Sequence, residues 1–199
     1  MTNPARLVVL VSGSGSNLQA VLDACQDGSL PARVEGVVSN RPEAYALTRA
    51  QTAGVPVQVL PAVKGQGRSE YDRMLAELVA SFQPDWVVLA GWMRILTCAF
   101  LDRFPNQVVN LHPAQPGKYP GTHAIARALQ DAQAGLINET GVMVHLVPDE
   151  GVDNGPVLAW QAVPILAADT LETLEERVHA VEHNLLVKTL KELIQPSSP

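Results

Sequence analysis

The chain has 199 residues, 47% of them hydrophobic and 17% charged, which is material for one large core or two small ones. A net charge of -6 without any lysine- or arginine-rich run argues against a surface that coats nucleic acid, so a small anionic ligand would need a local positive site. The opening residues lead straight into a strand-like run and no apolar segment is long enough to span a bilayer, so a cytoplasmic protein with no membrane partner is expected.

Leu7 to Val11 is a continuous apolar run bounded by Ser12-Gly13-Ser14-Gly15-Ser16, and Asn17 to Leu22 then begins a helical pattern. A buried strand, a glycine turn and a helix start make the first βα unit of a parallel sheet. Free backbone N–H groups from Gly13 to Asn17 would face an anion, favoured by the positive end of the helix dipole. Leu18 stands where a dinucleotide fingerprint has its third glycine, and no Gly-Lys-Ser/Thr follows. The turn therefore reads either as a phosphomonoester site or as a plain tight turn.

The alternation continues with a strand over Val34 to Val38, a helix over Glu43 to Ala53, a strand over Val57 to Leu60, a loop over Ala62 to Gly67 and a helix over Ser69 to Ser81. Trp86 to Ala90 is the next buried strand. Gly91 permits a sharp exit from it, and Trp92, Met93, Ile95 and Leu96 can line a cleft for a flat heteroaromatic ligand or pack under a loop. Arg94, a cation among apolar residues, is expected to have a carboxylate partner in the protein or in a ligand. This order implies one α/β domain with a mostly parallel central sheet and helices on both faces. Cys25 and Cys98 belong to no metal-ligand pattern and are expected to be reduced and structural, and no metal site is predicted.

Gln107-Val108-Val109 runs into Asn110-Leu111-His112-Pro113, a strand that stops abruptly with two polar side chains at its carboxyl end. Asn110 and His112 are two apart, so an extended backbone turns them to one side, where an amide NH2 and an imidazole can converge on one oxygen. Open α/β sheets bind ligands at that edge. The plainer alternative is a turn asparagine and a histidine satisfied by backbone. A helix over His123 to Ala134 and a strand over Gly141 to Val147 follow. Next comes the acidic turn Pro148-Asp149-Glu150-Gly151-Val152-Asp153-Asn154-Gly155-Pro156, then a strand over Val157 to Pro164. The turn lacks the order of a calcium loop, and a carboxylate facing His112 fits it better. His145 is read as a strand histidine beside that turn. A helix from Thr170 to about Gln195 carries Leu171, Leu174, Val178, Val181, Leu185 and Thr189 on one stripe, with Glu182 on it and His179 and His183 flanking. Glu182 is either solvated at the stripe's edge or turned inward to bind hydroxyls or an amine.

Residues 11–20, 89–96, 110–113, 118–121, 149–156 and 182–183, taken together and in order, resemble the phosphoribosylglycinamide formyltransferase family. The resemblance covers essentially the whole chain. It implies transfer of a formyl group from 10-formyltetrahydrofolate to glycinamide ribonucleotide in purine synthesis, by a monomer or homodimer. It also implies that Gly13, Ser14, Gly15, Ser16 and Asn17 hold the substrate phosphate, with His179 and Glu182 at its ribose or amine end. Arg68, Met93, Arg94, Ile95 and Leu96 match folate-contact positions, as do Asn110 and Asp149, Glu150, Gly151, Val152 and Asp153. Asn110, His112 and Asp153 fall on the catalytic positions, with Asp153 holding His112 cationic. Residues 1–105 would then be a phosphate-binding half and 106–199 a catalytic and folate-loop half of one domain. The chain reads Ala114-Gln115-Pro116-Gly117 where family members commonly read Ser-Leu-Leu-Pro, and its turn before Asp153 is one residue longer.

Alternatives within the same family type are methionyl-tRNA formyltransferase and formyltetrahydrofolate hydrolase, for whose extra domains the chain is expected to have no room. Its acidity also disfavours tRNA. A non-catalytic phosphosugar-binding module would leave Asn110, His112 and Asp153 as coincidence, and an NAD-binding protein would want the missing glycine.

Overall fold

The computed structural model describes residues 3–195. Strands β1 (Ala5–Val11), β2 (Ala32–Ser39), β3 (Val57–Val59), β4 (Trp86–Leu89), β5 (Val108–His112), β6 (Glu139–Leu146) and β7 (Val157–Pro164) form one sheet in the order β3-β2-β1-β4-β5-β6-β7. The pairings from β3 through β5 are parallel. Strands β6 and β7 extend the sheet antiparallel. The helices are α1 (Ser16–Gln26), α2 (Tyr45–Thr52), α3 (Arg68–Ala80), α4 (Cys98–Leu101), α5 (Ala124–Gln133) and α6 (Leu171–Ile194).

Strand β1 shows why the sheet is covered on both faces. Leu7, Val9 and Val11 pack with Leu18 of α1 and Leu174, Val178 and Leu186 of α6, whereas Val8 and Leu10 pack with Tyr71 and Leu75 of α3 and Phe100 of α4. Side chains that alternate faces are thus all apolar, and truncating one to alanine would cost roughly 2–5 kcal/mol. Helix α6 starts where Thr170 and Thr173 cap one another reciprocally. Its inward stripe is Leu174, Val178, Glu182, Leu185, Leu186, Thr189 and Leu190. Leu171, expected on that stripe, is 40% exposed, because it borders a cleft instead of the core. The short helix α4 was not expected; it forms because Thr97 N donates to the buried Asp72 carboxylate (2.6 Å) and Phe100 and Leu101 anchor in the core.

The chain runs outward through β1, β2 and β3, then returns to place β4 and β5 on the other side of β1. This reversal opens a crevice at the carboxyl ends of β1 and β4. Ser12 fastens it: its N–H donates to Gly91 O (3.1 Å), its hydroxyl donates to Asn40 Oδ1 (2.6 Å) and accepts from Met93 N (2.9 Å). Among the described residues, no helix is long and apolar enough to cross a membrane.

Candidate active site

Two neighbouring subsites lie on this edge. At the end of β1, Gly15 adopts φ 74° as the residue before α1, and a Cβ there would fall 2.5 Å from Ala46 Cβ of α2. Glycine is required on both counts. No side chain caps α1, and its first intrahelical bond is Gln19 N to Gly15 O, so the N–H groups of Ser16, Asn17 and Leu18 are left for an anion. Arg49 of α2, which the sequence did not single out, supplies the local positive charge. Its Nε donates to Ser14 O (2.9 Å) and its Nη1 to Gln19 Oε1 (3.1 Å). Gly13 and Ser14 are exposed in the same turn.

The far side of this turn meets α6. Glu182 is turned inward, and its Oε2 accepts from Asn17 Nδ2 at 3.0 Å, with His179 Nε2 at 4.0 Å. Burial pushes the Glu182 carboxyl above the usual range, against the pull of Asn17 and His179. Asn17 Oδ1 and His183 Nε2 are buried without a protein partner. Burial, His179 and Arg49 together hold His183 below the ordinary histidine value. An acidic group, an open acceptor and a free ring nitrogen suit a ligand bearing hydroxyls and an amine.

The second subsite is a cleft of about 880 Å³ beyond β4 and β5. Asn110 pairs across the ladder with His145 of β6, so Asn110, His112 and His145 share one face. The β6–β7 turn folds back over them and delivers Asp153 at φ 51°, a left-handed conformation that Asp tolerates. Asp153 Oδ1 accepts from Asn110 Nδ2 (3.0 Å), Oδ2 accepts from Gly121 N (2.7 Å), and Oδ2 lies 3.2 Å from His112 Nδ1. His145 Nδ1 lies 2.8 Å from Leu146 O and its Nε2 3.1 Å from Asn110 Nδ2. His145 thus turns Nδ1 to a backbone carbonyl and Nε2 to the second Asn110 hydrogen. Its Nε2 is 3.7 Å from Asp153 Oδ1.

Asp153 and burial pull the His112 ring in opposite directions. Burial pulls the His112 pKa below its ordinary value, and Asp153 and the Tyr119 carbonyl, 3.0 Å from Nε2, oppose that without reversing it. Asp153 itself is raised by burial but lowered more by its partners, His145, Gly121 and His112, and stays below the usual carboxylate value. Both Asn110 amide hydrogens and both His112 nitrogens already face protein groups, so a ligand oxygen must compete for them.

Met93 (60% exposed) and Ile95 (47%) stand at the cleft with Arg94, Leu96, Val152 and Leu171, while Trp92 is buried beneath. Several large apolar side chains left open around one cavity suit a flat apolar ligand. The carboxylate expected for Arg94 is not found among the described residues; the guanidinium stacks 4.2 Å from the Tyr71 ring centroid, and its Nε is buried without a partner. Asp149, Gly151 and Val152 line the cleft, but Glu150 faces outward to Cys98 N (3.0 Å) and Arg68 (3.7 Å). Arg68 is likewise outside the cleft wall and also reaches Ile95 O at 3.5 Å. Gln115 of the departing loop donates to Glu139 Oε1 (2.9 Å) and Thr140 O (3.3 Å), and buried Ala114 packs beneath it. Cys98 is exposed, so it is not the packed structural thiol expected. Among the described residues no group of three or more His, Cys, Asp or Glu is placed to hold a metal ion.

The formyl transferase family model matches residues 5–190. The phosphoribosylglycinamide formyltransferase of Schizosaccharomyces pombe is 48% identical, over 96% of this chain and 97% of that protein. The chain belongs to the phosphoribosylglycinamide formyltransferase family. A crystal structure of glycinamide ribonucleotide transformylase 1 from Symbiobacterium toebii superposes with a TM-score of 0.92 at 38% identity, covering 98% of this chain and 90% of that one. A Drosophila melanogaster trifunctional purine biosynthetic protein is 39% identical over 95% of this chain, which spans 14% of that protein's length. The chain is a formyltransferase of purine biosynthesis.

Proposed function

We propose that the formyl donor is 10-formyltetrahydrofolate, the acceptor is the amine of glycinamide ribonucleotide, and Asn110, His112 and Asp153 are the catalytic groups. The observation that carries this reading is the contact of Asp153 with both Asn110 and His112 at the base of a cleft rimmed by Met93 and Ile95. The ends of β1 and β5 stand two strand spacings apart, about 10 Å, a span that a phosphorylated ribose with a glycinamide arm can bridge. Its phosphate would sit on the backbone of Gly13 to Asn17 beside Arg49, and its ribose or amine end near His179 and Glu182. The pterin would lie among Met93, Arg94, Ile95, Leu96, Asp149, Gly151 and Val152, with Arg68 and Glu150 outside the cleft wall. Residues 1–105 then hold the phosphate and one wall of the pterin cleft, and 106–199 hold the reacting groups and the folate loop.

The amine lone pair attacks the formyl carbon and the carbonyl pair moves onto oxygen. His112 Nε2, the ring nitrogen not on Asp153, and one Asn110 hydrogen are the donors nearest that oxygen. A developing alkoxide is a stronger acceptor than the Tyr119 carbonyl or the His145 ring, so these bonds transfer to it as charge develops. The reacting form is His112 already protonated from solvent, its charge standing beside the Asp153 carboxylate. Asp153 takes the amine proton, directly or through water, and returns it to the folate nitrogen as the carbonyl re-forms and the bond from carbon to that nitrogen breaks.

The test is turnover of 10-formyltetrahydrofolate by the purified chain with glycinamide ribonucleotide, tRNA or water as acceptor. Formylated ribonucleotide is expected, with His112→Asn reducing its rate at least ~100-fold. Equal deformylation in water alone would overturn the acceptor, and an unimpaired His112→Asn would overturn the catalytic assignment.

A further inference from the structure

The turn at Tyr119-Pro120-Gly121 touches both partners of the catalytic pair: the Tyr119 carbonyl faces His112 Nε2, and Gly121 N donates to Asp153 Oδ2. Its backbone does not hold that shape by itself. Tyr119 adopts φ 48°, a left-handed conformation that a bulky side chain rarely occupies. Helix α5 fixes it from two positions. Arg127 Nη2 donates to Tyr119 O (2.6 Å) and to Pro120 O (2.7 Å), with its guanidinium 5.7 Å from the Tyr119 ring centroid. The Tyr119 hydroxyl donates to Asp131 Oδ2 at 2.6 Å.

We propose that Arg127 is a positioning residue for formyl transfer, holding the Tyr119 carbonyl against His112 Nε2 and the Gly121 N–H against Asp153. This rests on His112 and Asp153 being the catalytic pair. With an acceptor on each ring nitrogen, Asp153 on Nδ1 and Tyr119 O on Nε2, only the doubly protonated ring satisfies both; a neutral ring leaves a lone pair against an oxygen. The placed carbonyl therefore favours the protonated state that the oxyanion requires. Because Arg127 already donates to that carbonyl, it is a weak competitor and yields the N–H when the alkoxide forms. The other groups facing the ring are His145 from β6, which makes no hydrogen bond to Arg127, and the Lys118 backbone, which moves with Tyr119; the Arg127 cation itself opposes protonation, so the shift read in its variants is net of that charge, while His123 and Glu175 stand on the cleft wall.

The test is the His112 titration midpoint, followed by NMR of the imidazole in the ligand-free protein. Arg127→Gln should lower it by about one pH unit, the scale of one hydrogen bond to a charged group. Above both midpoints kcat/KM should fall about tenfold with the protonated fraction, and the gap should close below them, which a general structural defect would not reproduce. Arg127→Lys, one ammonium in place of a fork, should restore part of the shift. Arg127→Met keeps the stem and gives the same reading where the Gln variant does not fold. An unmoved midpoint in Arg127→Gln or Arg127→Met overturns the proposal. The midpoint reports on Arg127 whether or not His112 is catalytic, whereas His112→Asn turnover tests the pair, so the two failures are distinct.

Discussion

Replacing Asp153 with asparagine removes a charge while keeping shape, and asparagine tolerates the φ of 51° at that position. The new NH2 must face either Asn110 Nδ2 or Gly121 N, both donors, so one of two hydrogen bonds is lost whichever way the amide turns. The larger loss is electrostatic. An imidazolium and a carboxylate 3.2 Å apart attract by roughly 5 kcal/mol at an effective dielectric of about 20. Even if half of that is offset by desolvation, ~2.6 kcal/mol remains for the transition state, or ~80-fold in kcat. Steady-state turnover with both substrates saturating, alongside folate affinity by calorimetry, separates chemistry from binding: kcat should fall at least that far and affinity much less. Glu150→Gln, at a side chain facing Cys98 and Arg68, should stay within about threefold. Near-normal turnover in Asp153→Asn together with loss in Glu150→Gln would refute the reasoning, because the longer turn would then present a different carboxylate.

Glu182→Gln removes a buried carboxyl whose ionisation burial disfavours, so the free protein should melt about 2–4 °C higher at pH 8 while ribonucleotide affinity drops at least ~10-fold. A lower melting point would show that the charge is stabilising. In that same background the histidines can be read without Glu182's opposing titration. His112 and His183 have folded values depressed by burial, so their stability is present above the unfolded value of about 6.5 and is lost as pH falls through the folded values. Asp153, also depressed, adds a loss below about pH 4. The urea midpoint should therefore decline from about pH 7 to 5, and a flat profile would contradict the burial argument. Gly15→Ala forces a left-handed alanine into Ala46 and should cost more than ~2 kcal/mol in denaturation, whereas Gly13→Ala meets nothing within 4 Å and should be near neutral.

What the sequence revealed follows from which signals are local. Parallel strands covered on both faces read as unbroken apolar runs, so Leu7 to Val11 was legible, and two-residue spacing already placed Asn110 and His112 together. Chemistry reached only a carboxylate of the acidic turn facing His112; the choice of Asp153 among them came from the family resemblance, and Asp153 is the one that stands 3.2 Å from the ring. Arg49 and Arg127 were not legible: a single cation on an amphipathic helix looks like solvated surface until tertiary packing shows which carbonyl it meets. Leu171 kept the helical period of the core stripe yet faces the cleft, since periodicity marks a face without saying where its neighbour ends. The lowered pKa of His112 depends on a contest between desolvation and two acceptors, and residue spacing carries no information about that balance.

The contact between Asn17 on α1 and Glu182 on α6 joins positions 165 residues apart. A ribonucleotide seated there would touch both helices at once, so peeling α6 from the sheet would require releasing the ligand as well. Amide hydrogens of α6 should then exchange more slowly in proportion to ribonucleotide occupancy, and a protease that cleaves near its start should be held off by substrate. A cell well supplied with acceptor would thus lengthen the life of the enzyme that consumes it.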